Sequence, residues 1–323
     1  MMNRREFGRS VTGAVAGVAA GAALHPAMAA AGQQQAVESG AVPYKISVML
    51  WTVLRKEPLP FRLERVAEAG YHAVEFVDEF KGWNKGDFAA LRQKKSELGI
   101  EIDATCGAWP TLADPGNRER FLGELKAFVP TMHELETTKM VMQTGNAMPG
   151  MPREQMRANC IETLKRAGDI AAENNIELLV ENIDPEENPK YFLTSSAEGF
   201  EIVRAVGNPH VKFLYDFFHE QISEGNLIAK LAKNMDLLGL VHVADVPGRH
   251  EPGSGEIYFP NIYRKLAELN YSRYIAMEFL PLGEPVAALR EAREAALKFG
   301  MAQSKQAFLS DSPDNPRRFH AAS

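Results

Sequence analysis

Four residues of metal-ligating type recur just behind short apolar runs in the second half of the chain. Glu181 follows Leu178-Leu179-Val180, Asp216 follows Phe213-Leu214-Tyr215, His242 lies within Leu240-Val241-His242-Val243, and Glu278 follows Ile275-Ala276-Met277. Three carboxylates and one imidazole make a mixed oxygen and nitrogen donor set. Such a set suits one divalent cation, Mg²⁺ or Mn²⁺ first, with Co²⁺ and Zn²⁺ as alternatives, and not the soft metals. Each residue alone has a plainer reading, because a strand-end carboxylate can cap the next helix and a histidine can be a hydrogen-bonded core residue. Their recurrence in successive units outweighs those readings.

The elements that must position them follow from the alternation of apolar runs with amphipathic segments. Eight strands are expected, at 46–51, 73–77, 101–105, 140–143, 177–181, 212–216, 240–243 and 274–278. The segments between them carry apolar residues at helical spacing, as in Phe88, Leu91 and Leu98, with Asp87 placed as N-cap. They end in Ala69-Gly70, Leu98-Gly99, Asn174-Asn175, Val206-Gly207, Leu238-Gly239 and Leu269-Asn270, where Gly or Asn supplies the left-handed residue that stops a helix. Apolar strands each followed by a helix predict a parallel sheet covered outside, and eight units favour a closed (β/α)8 barrel of α/β class. The four ligand candidates are separated by 35, 26 and 36 residues, against about 31 per unit for a barrel of about 250 residues. Leu50-Trp51-Thr52-Val53-Leu54 stands where a Gly-rich dinucleotide fingerprint would follow the first strand, which argues against a nicotinamide-binding fold.

The loop after the seventh strand, Ala244-Asp245-Val246-Pro247-Gly248-Arg249-His250-Glu251-Pro252-Gly253-Ser254-Gly255-Glu256-Ile257, is sharply turned by its glycines and prolines. Arg249 can clamp a carboxylate with paired hydrogen bonds, the alternative being a surface pair with Glu251. Glu256 can accept a hydrogen bond from a substrate hydroxyl or orient Arg249, or face solvent. His219, three residues beyond Asp216, can reach the same mouth across a turn and bind a substrate oxygen, or simply sit at a helix start. Trp51, Trp109 and Phe279 are candidates for pocket wall or core.

The chain resembles the hydroxypyruvate isomerases, within the xylose isomerase-like superfamily of TIM barrels that also holds ketose 3-epimerases. The likeness lies in Leu179-Val180-Glu181-Asn182, Tyr215-Asp216 with His219, the loop from Ala244 to Ile257, and Met277-Glu278-Phe279, and it runs from about Tyr44 to about Phe299. It implies that Glu181, Asp216, His242 and Glu278 hold one metal while Glu181 and Glu278 also act as the acid/base pair. Hydroxypyruvate isomerases tend to have glutamine where His242 stands, and the epimerases histidine. The chemistry implied is proton transfer beside a carbonyl through an enediolate, hydroxypyruvate to tartronate semialdehyde first, with Arg249 on the carboxylate and His219 on a hydroxyl. The alternatives are an exported keto-sugar 3-epimerase or isomerase and, from another class, a non-catalytic sugar-binding barrel. The nuclease branch needs a richer histidine set than Val77-Asp78-Glu79 and Thr105-Cys106-Gly107 offer.

The ends stand apart from this pattern. Asn3-Arg4-Arg5-Glu6-Phe7, the weakly apolar stretch Val11 to Leu24 and Ala27-Met28-Ala29 read as a cleavable twin-arginine export signal over residues 1–29. A linker at 30–43, the single barrel domain at 44–299 and a polar tail at 300–323 complete the expected layout, with a periplasmic or exported location. Twin-arginine export carries folded cargo, so a metal can be loaded before transport. No later stretch is long and apolar enough to span a bilayer. The net charge of −6 becomes about −8 once the signal is removed, and an acidic domain without a basic run is a poor nucleic-acid binder. The expected partner is a small hydroxy-carbonyl or sugar, with a homo-oligomer left open. Two cysteines, Cys106 and Cys160, are too few for a disulfide-built fold, and two buried thiols are expected rather than one bridge.

Overall fold

The computed structural model describes residues 41–107 and 109–310. Eight strands follow one another around a closed barrel: β1 Lys45–Met49, β2 Ala73–Phe76, β3 Glu101–Cys106, β4 Lys139–Gln143, β5 Glu177–Glu181, β6 Val211–Asp216, β7 Leu238–Val243 and β8 Tyr274–Met277. Every neighbouring pair is parallel, and β8 closes on β1 with Lys45 opposite Tyr274 and Val48 opposite Met277. The outer layer consists of α1 Leu59–Glu68, α2 Lys85–Leu98, α3 Arg118–Leu135, α4 Arg153–Glu173, α5 Ser196–Val206, α6 Phe217–Ser223, α7 Leu227–Lys233, α8 Phe259–Glu268 and α9 Pro285–Ser310. The export signal expected at 1–29, most of the linker and the end of the tail lie outside the described residues, whereas α9 carries helix past residue 299 to Ser310. No described helix is long and apolar enough to cross a membrane.

Apolar residues divide into two sets. The larger fills the space between strands and helices, where α4 presents Met156, Cys160, Leu164, Ala167 and Ala171 along one buried stripe. The smaller set contains Ala73, Ala104, Val141, Leu179, Leu214, Leu240 and Ala276, supplied by β2 to β8 in turn, and fills the barrel interior. Strand side chains alternate with period two. The residue two places after each of these therefore also faces inward, one layer nearer the carboxyl mouth: Glu75, Cys106, Gln143, Glu181, Asp216, His242 and Glu278.

Most of the expected stop signals act as such. Gly70, Gly99, Asn175, Gly207 and Asn270 all take positive φ, and Gly99 and Gly207 are left-handed C-caps. Leu238-Gly239 does not end a helix but lies inside β7. Phe213 pairs with Leu238 and Leu214 with Leu240, so Gly239 is the extra residue of a bulge. A Cβ there would lie 2.2 Å from Leu179 Cδ2 and 2.8 Å from Lys212 Cβ, so the constraint is close approach. A second correction concerns α2, whose N-cap is Asn84. Asp87 sits at the third helical position and returns its carboxylate to the Asn84 N–H, completing a capping box. Cys160 is a buried free thiol, but Cys106 is only half-buried, at the mouth.

Candidate active site

The interior layer at the mouth brings Glu181, Asp216, His242 and Glu278 together. All four are buried, and one donor atom from each lies within 4.8 Å of the others. His242 Nδ1 stands 2.7 Å from Glu278 Oε2 and 3.7 Å from Glu181 Oε1, yet Nδ1 and Oε2 lack a hydrogen-bond partner of acceptable geometry. Buried polar atoms are rarely left so. A hard divalent cation fits these donors, because it satisfies the imidazole nitrogen and the carboxylate oxygen at once.

Glu75, which sequence reasoning missed, fixes which nitrogen His242 offers. Its Oε2 accepts from His242 Nε2 at 3.0 Å with both side chains fully buried, leaving Nδ1 directed into the donor cluster. A carboxylate behind a ligating histidine sets its tautomer and raises its basicity. Burial alone would lower the imidazole's proton affinity, but Glu75 and Glu278 hold it well above the usual histidine range. The available signal was the inward period of β2, which places a carboxylate two residues after Ala73.

Arg249 is inside the site and is not paired with Glu251. Its Nη2 lies 2.7 Å from Glu278 Oε1 and 3.3 Å from Asp216 Oδ2, and its Nη1 donates to Glu187 Oε2 at 2.8 Å. The guanidinium lies 4.8 Å from the Phe218 ring centre and 5.4 Å from that of Trp51. Trp51 Nε1 also donates to Glu278 Oε1 at 2.8 Å. Arg249 has φ +58, in a loop folded around the fully buried Asp245. One oxygen of Asp245 accepts from the N–H groups of Val246 and Ile257, the other from those of Gly253 and Gly255. Asp245 is thus a second residue missed in the sequence, although it lay within the quoted loop.

His219 reaches the same mouth from α6. Its Nδ1 donates to Asp184 Oδ2 at 2.6 Å, and its Nε2 lies 3.4 Å from Asp216 Oδ2. The other oxygen of Asp184 accepts from the N–H groups of Glu186 and Glu187, a turn that holds it still. Burial would depress His219, but Asp216 and Asp184 raise it to about 9. Asp184, Glu187 and His219 form a second close group, tied by hydrogen bonds to each other and to Arg249. Glu256 is the one sequence candidate not brought in. It is exposed and accepts from Gln221 Nε2 at 2.9 Å, so in this arrangement it neither orients Arg249 nor faces the donors. Of the aromatic candidates, Trp51 touches the site, Phe279 is core, and Trp109 lines a neighbouring cavity.

The two glutamates expected to move protons are driven apart. Burial, reinforced by Glu278, pushes the Glu181 carboxyl up to about 8. Burial would raise Glu278 too, but Arg249 and His242 hold it well below the usual carboxylate range. Paired titratable groups separated in this way can take acid and base roles.

The chain belongs to the xylose isomerase-like TIM barrel family, whose model matches residues 63–299. It is similar to the 2-oxo-tetronate isomerase of Pectobacterium atrosepticum, 26% identical over 250 residues that cover 74% of this chain and 93% of that protein. It is similar also to the hydroxypyruvate isomerase of Escherichia coli, 27% identical over 234 residues, 71% of this chain and 90% of the relative. Together these relatives make the chain an isomerase. Among solved structures, the apo 3-keto-D-glucoside 4-epimerase of Escherichia coli superposes with a TM-score of 0.66 at 20% identity, covering 79% of this chain and 99% of that one, a likeness of fold.

Proposed function

We propose that the chain is a metal-dependent isomerase that shifts a proton between adjacent carbons of a 2-hydroxy-ketone through an enediolate. The observation that carries this is the convergence of four buried donors in which two glutamates, Glu181 and Glu278, both approach His242 Nδ1. Glu181, Asp216, His242 and Glu278 would hold one divalent cation, which when bound polarises the carbonyl and stabilises the enediolate charge. Mg²⁺ or Mn²⁺ is proposed from the oxygen-rich donors, with Co²⁺ and Zn²⁺ as alternatives.

For hydroxypyruvate, one glutamate takes the C3 proton and the other returns a proton to C2, while the hydroxyl proton passes from the C3 oxygen to the C2 oxygen. The product is tartronate semialdehyde. Arg249, ringed by Trp51 and Phe218, would bind the substrate carboxylate, and His219, held by Asp184, would steady a hydroxyl. The isomerase names of the relatives support this reading. His242 favours a second, a keto-sugar 3-epimerase or isomerase, since the ketose epimerases carry histidine where hydroxypyruvate isomerases tend to carry glutamine. The paired arginines at Arg4-Arg5 support export by the twin-arginine route, where sugars are accessible.

Solvent-deuterium exchange into hydroxypyruvate and a panel of ketoses, with metal content measured in parallel, tests the reading. Exchange in the wild type that is lost in both Glu181→Gln and Glu278→Gln with metal retained is expected. No exchange into any member by the metal-loaded wild type would instead leave a binding barrel.

A further inference from the structure

The inward layer at the mouth has two halves. On β5 to β8 it carries the four metal-site residues, and on β2 to β4 it carries Glu75, Cys106 and Gln143. A cavity of about 540 Å³ opens over the second half, with Cys106 and Gln143 at its base and Phe80, Trp109 and Phe128 as its wall. Phe128 holds that wall together, its ring centre 5.7 Å from Trp109 and 5.8 Å from Phe80. The Trp109 indole N–H is buried without a hydrogen-bond partner.

The cavity adjoins the reacting centre. Gln143 is the strand neighbour of Glu181, and paired residues of adjacent strands lie about 5 Å apart on the same face. Cys106, on the cavity lining, belongs to the same inward layer as Glu75 and Glu181. A three-carbon keto acid spans only the ligand half and leaves this volume open, although its size falls within the range of about 300–1,000 Å³ usual for ligand sites.

We infer that the cavity is a subsite for a second sugar ring, so that the substrate is a keto-sugar glycoside. Its hydroxy-ketone unit would lie over Glu181 and Glu278, and its distal ring would pack on Trp109. A pyranose presents an apolar C–H face and a rim of hydroxyls. The aromatic wall meets the first, while Gln143 and the exposed pair of Asp78 with Lys81, 3.0 Å apart, meet the second. Asp78 and Glu124 on the lining disfavour a phosphorylated tail. The inference rests on the isomerase reading and selects its keto-sugar form.

The test uses the metal-loaded full chain, with hydroxypyruvate, D-fructose and the keto-disaccharides lactulose and palatinose as probes. Binding is read by calorimetry and turnover by deuterium exchange. Ala127 is exposed on α3 along the cavity, so Ala127→Trp fills the space from the surface without disturbing the core. The wild type is expected to bind at least one disaccharide tenfold more tightly than D-fructose, and both Ala127→Trp and Trp109→Ala to remove that preference. A wild type that binds neither disaccharide better than D-fructose, or a preference that survives both substitutions, overturns the subsite even where hydroxypyruvate exchanges normally. A preference that is present and lost as expected, with no exchange into any probe, supports the subsite and overturns the isomerase reading.

Discussion

Glu75 Oε2 and His242 Nε2 are joined by a 3.0 Å hydrogen bond between two fully buried side chains contributed by β2 and β7, which β1 and β8 separate in the barrel wall. The bond runs within the inward layer that also carries the donor cluster. It decides that His242 presents Nδ1 to the cluster and keeps the ring from rotating, tying the β2 half of the barrel to the site on β5 to β8.

Replacing Glu75 by Leu should therefore lower divalent-cation affinity by about 10- to 100-fold, the usual cost of removing a carboxylate behind a ligating histidine. Glu75→Gln keeps an oxygen that can accept from Nε2 but loses the charge, and should fall between Leu and wild type. Competition for Mn²⁺ against a chromophoric chelator measures this without reference to turnover. Affinities within twofold of wild type for both variants would show that Glu75 plays no part in holding the imidazole.

Arg249 is the only cation among the described residues that touches Glu278 and Asp216 together. Arg249→Leu leaves those buried carboxylates without it, a change of the kind that costs about 3–5 kcal/mol when one partner of a buried pair is removed. A cation in the proposed site offsets the charge of the same carboxylates, so Mg²⁺ or Mn²⁺ should restore much of the lost thermal stability. Calorimetric Tm values with and without metal check this. A deficit that is the same with and without the metal would argue that these carboxylates are not its ligands.

Asp103 supplies a pH dependence away from the metal donors. Its carboxylate accepts from Ser47 Oγ and the Ala104 N–H. Burial, then the neighbouring Glu75, raises it to about 7, whereas an unfolded chain releases that proton near an ordinary value of about 3.9. Between those values the folded protein holds a proton that the unfolded chain has lost. The Asp103 contribution is thus complete below about pH 4 and declines as the pH rises through 7. Asp103→Asn should flatten the fall in Tm between pH 4.5 and 7.5 while leaving the low-pH value close to wild type. An unaltered slope would mean that Asp103 ionises freely in the fold.

The barrel and its donor cluster were legible because both depend on local pattern. Apolar runs ending in Glu181, Asp216 and Glu278 mark strands whose period-two register carries the carboxylates inward, and Gly99, Asn175 and Gly207 close the helices between them. What could not be read locally depends on pairing between distant segments. Gly239 looks like a helix stop but is a bulge residue, because only the β6–β7 register brings Lys212 and Leu179 against it. Glu75 has nothing in its neighbourhood to distinguish it from a solvated carboxylate until barrel closure brings β2 within reach of β7. Glu256, conversely, sits in the most distinctive loop of the sequence, yet Asp245 gathers the N–H groups there in a way that turns Glu256 outward to Gln221.

That same loop provides the sharpest test of how Arg249 is held. A Cβ on Gly255 would lie 2.0 Å from the Val246 carbonyl oxygen and 2.7 Å from Asp245 Oδ1, contacts with backbone and with the buried carboxylate that no rotamer change relieves. Gly255→Ala must push Val246 or Asp245 aside, and Arg249, three residues beyond Val246 in the same turn, moves with them. The loop lies over the barrel rather than within its packed interior, so thermal stability should fall by only about 1–3 kcal/mol, the range for a locally overpacked site. Displacing a positioning group by about 1 Å can cost on the order of 10²-fold in rate. Gly255→Ala should accordingly show a far larger loss in kcat/KM than in Tm, and Gly253→Ala, where a Cβ meets nothing within 4 Å although φ is +97, a smaller loss of both. Measured side by side, equal activity in the two variants would show that Arg249 does not depend on the packing of this turn.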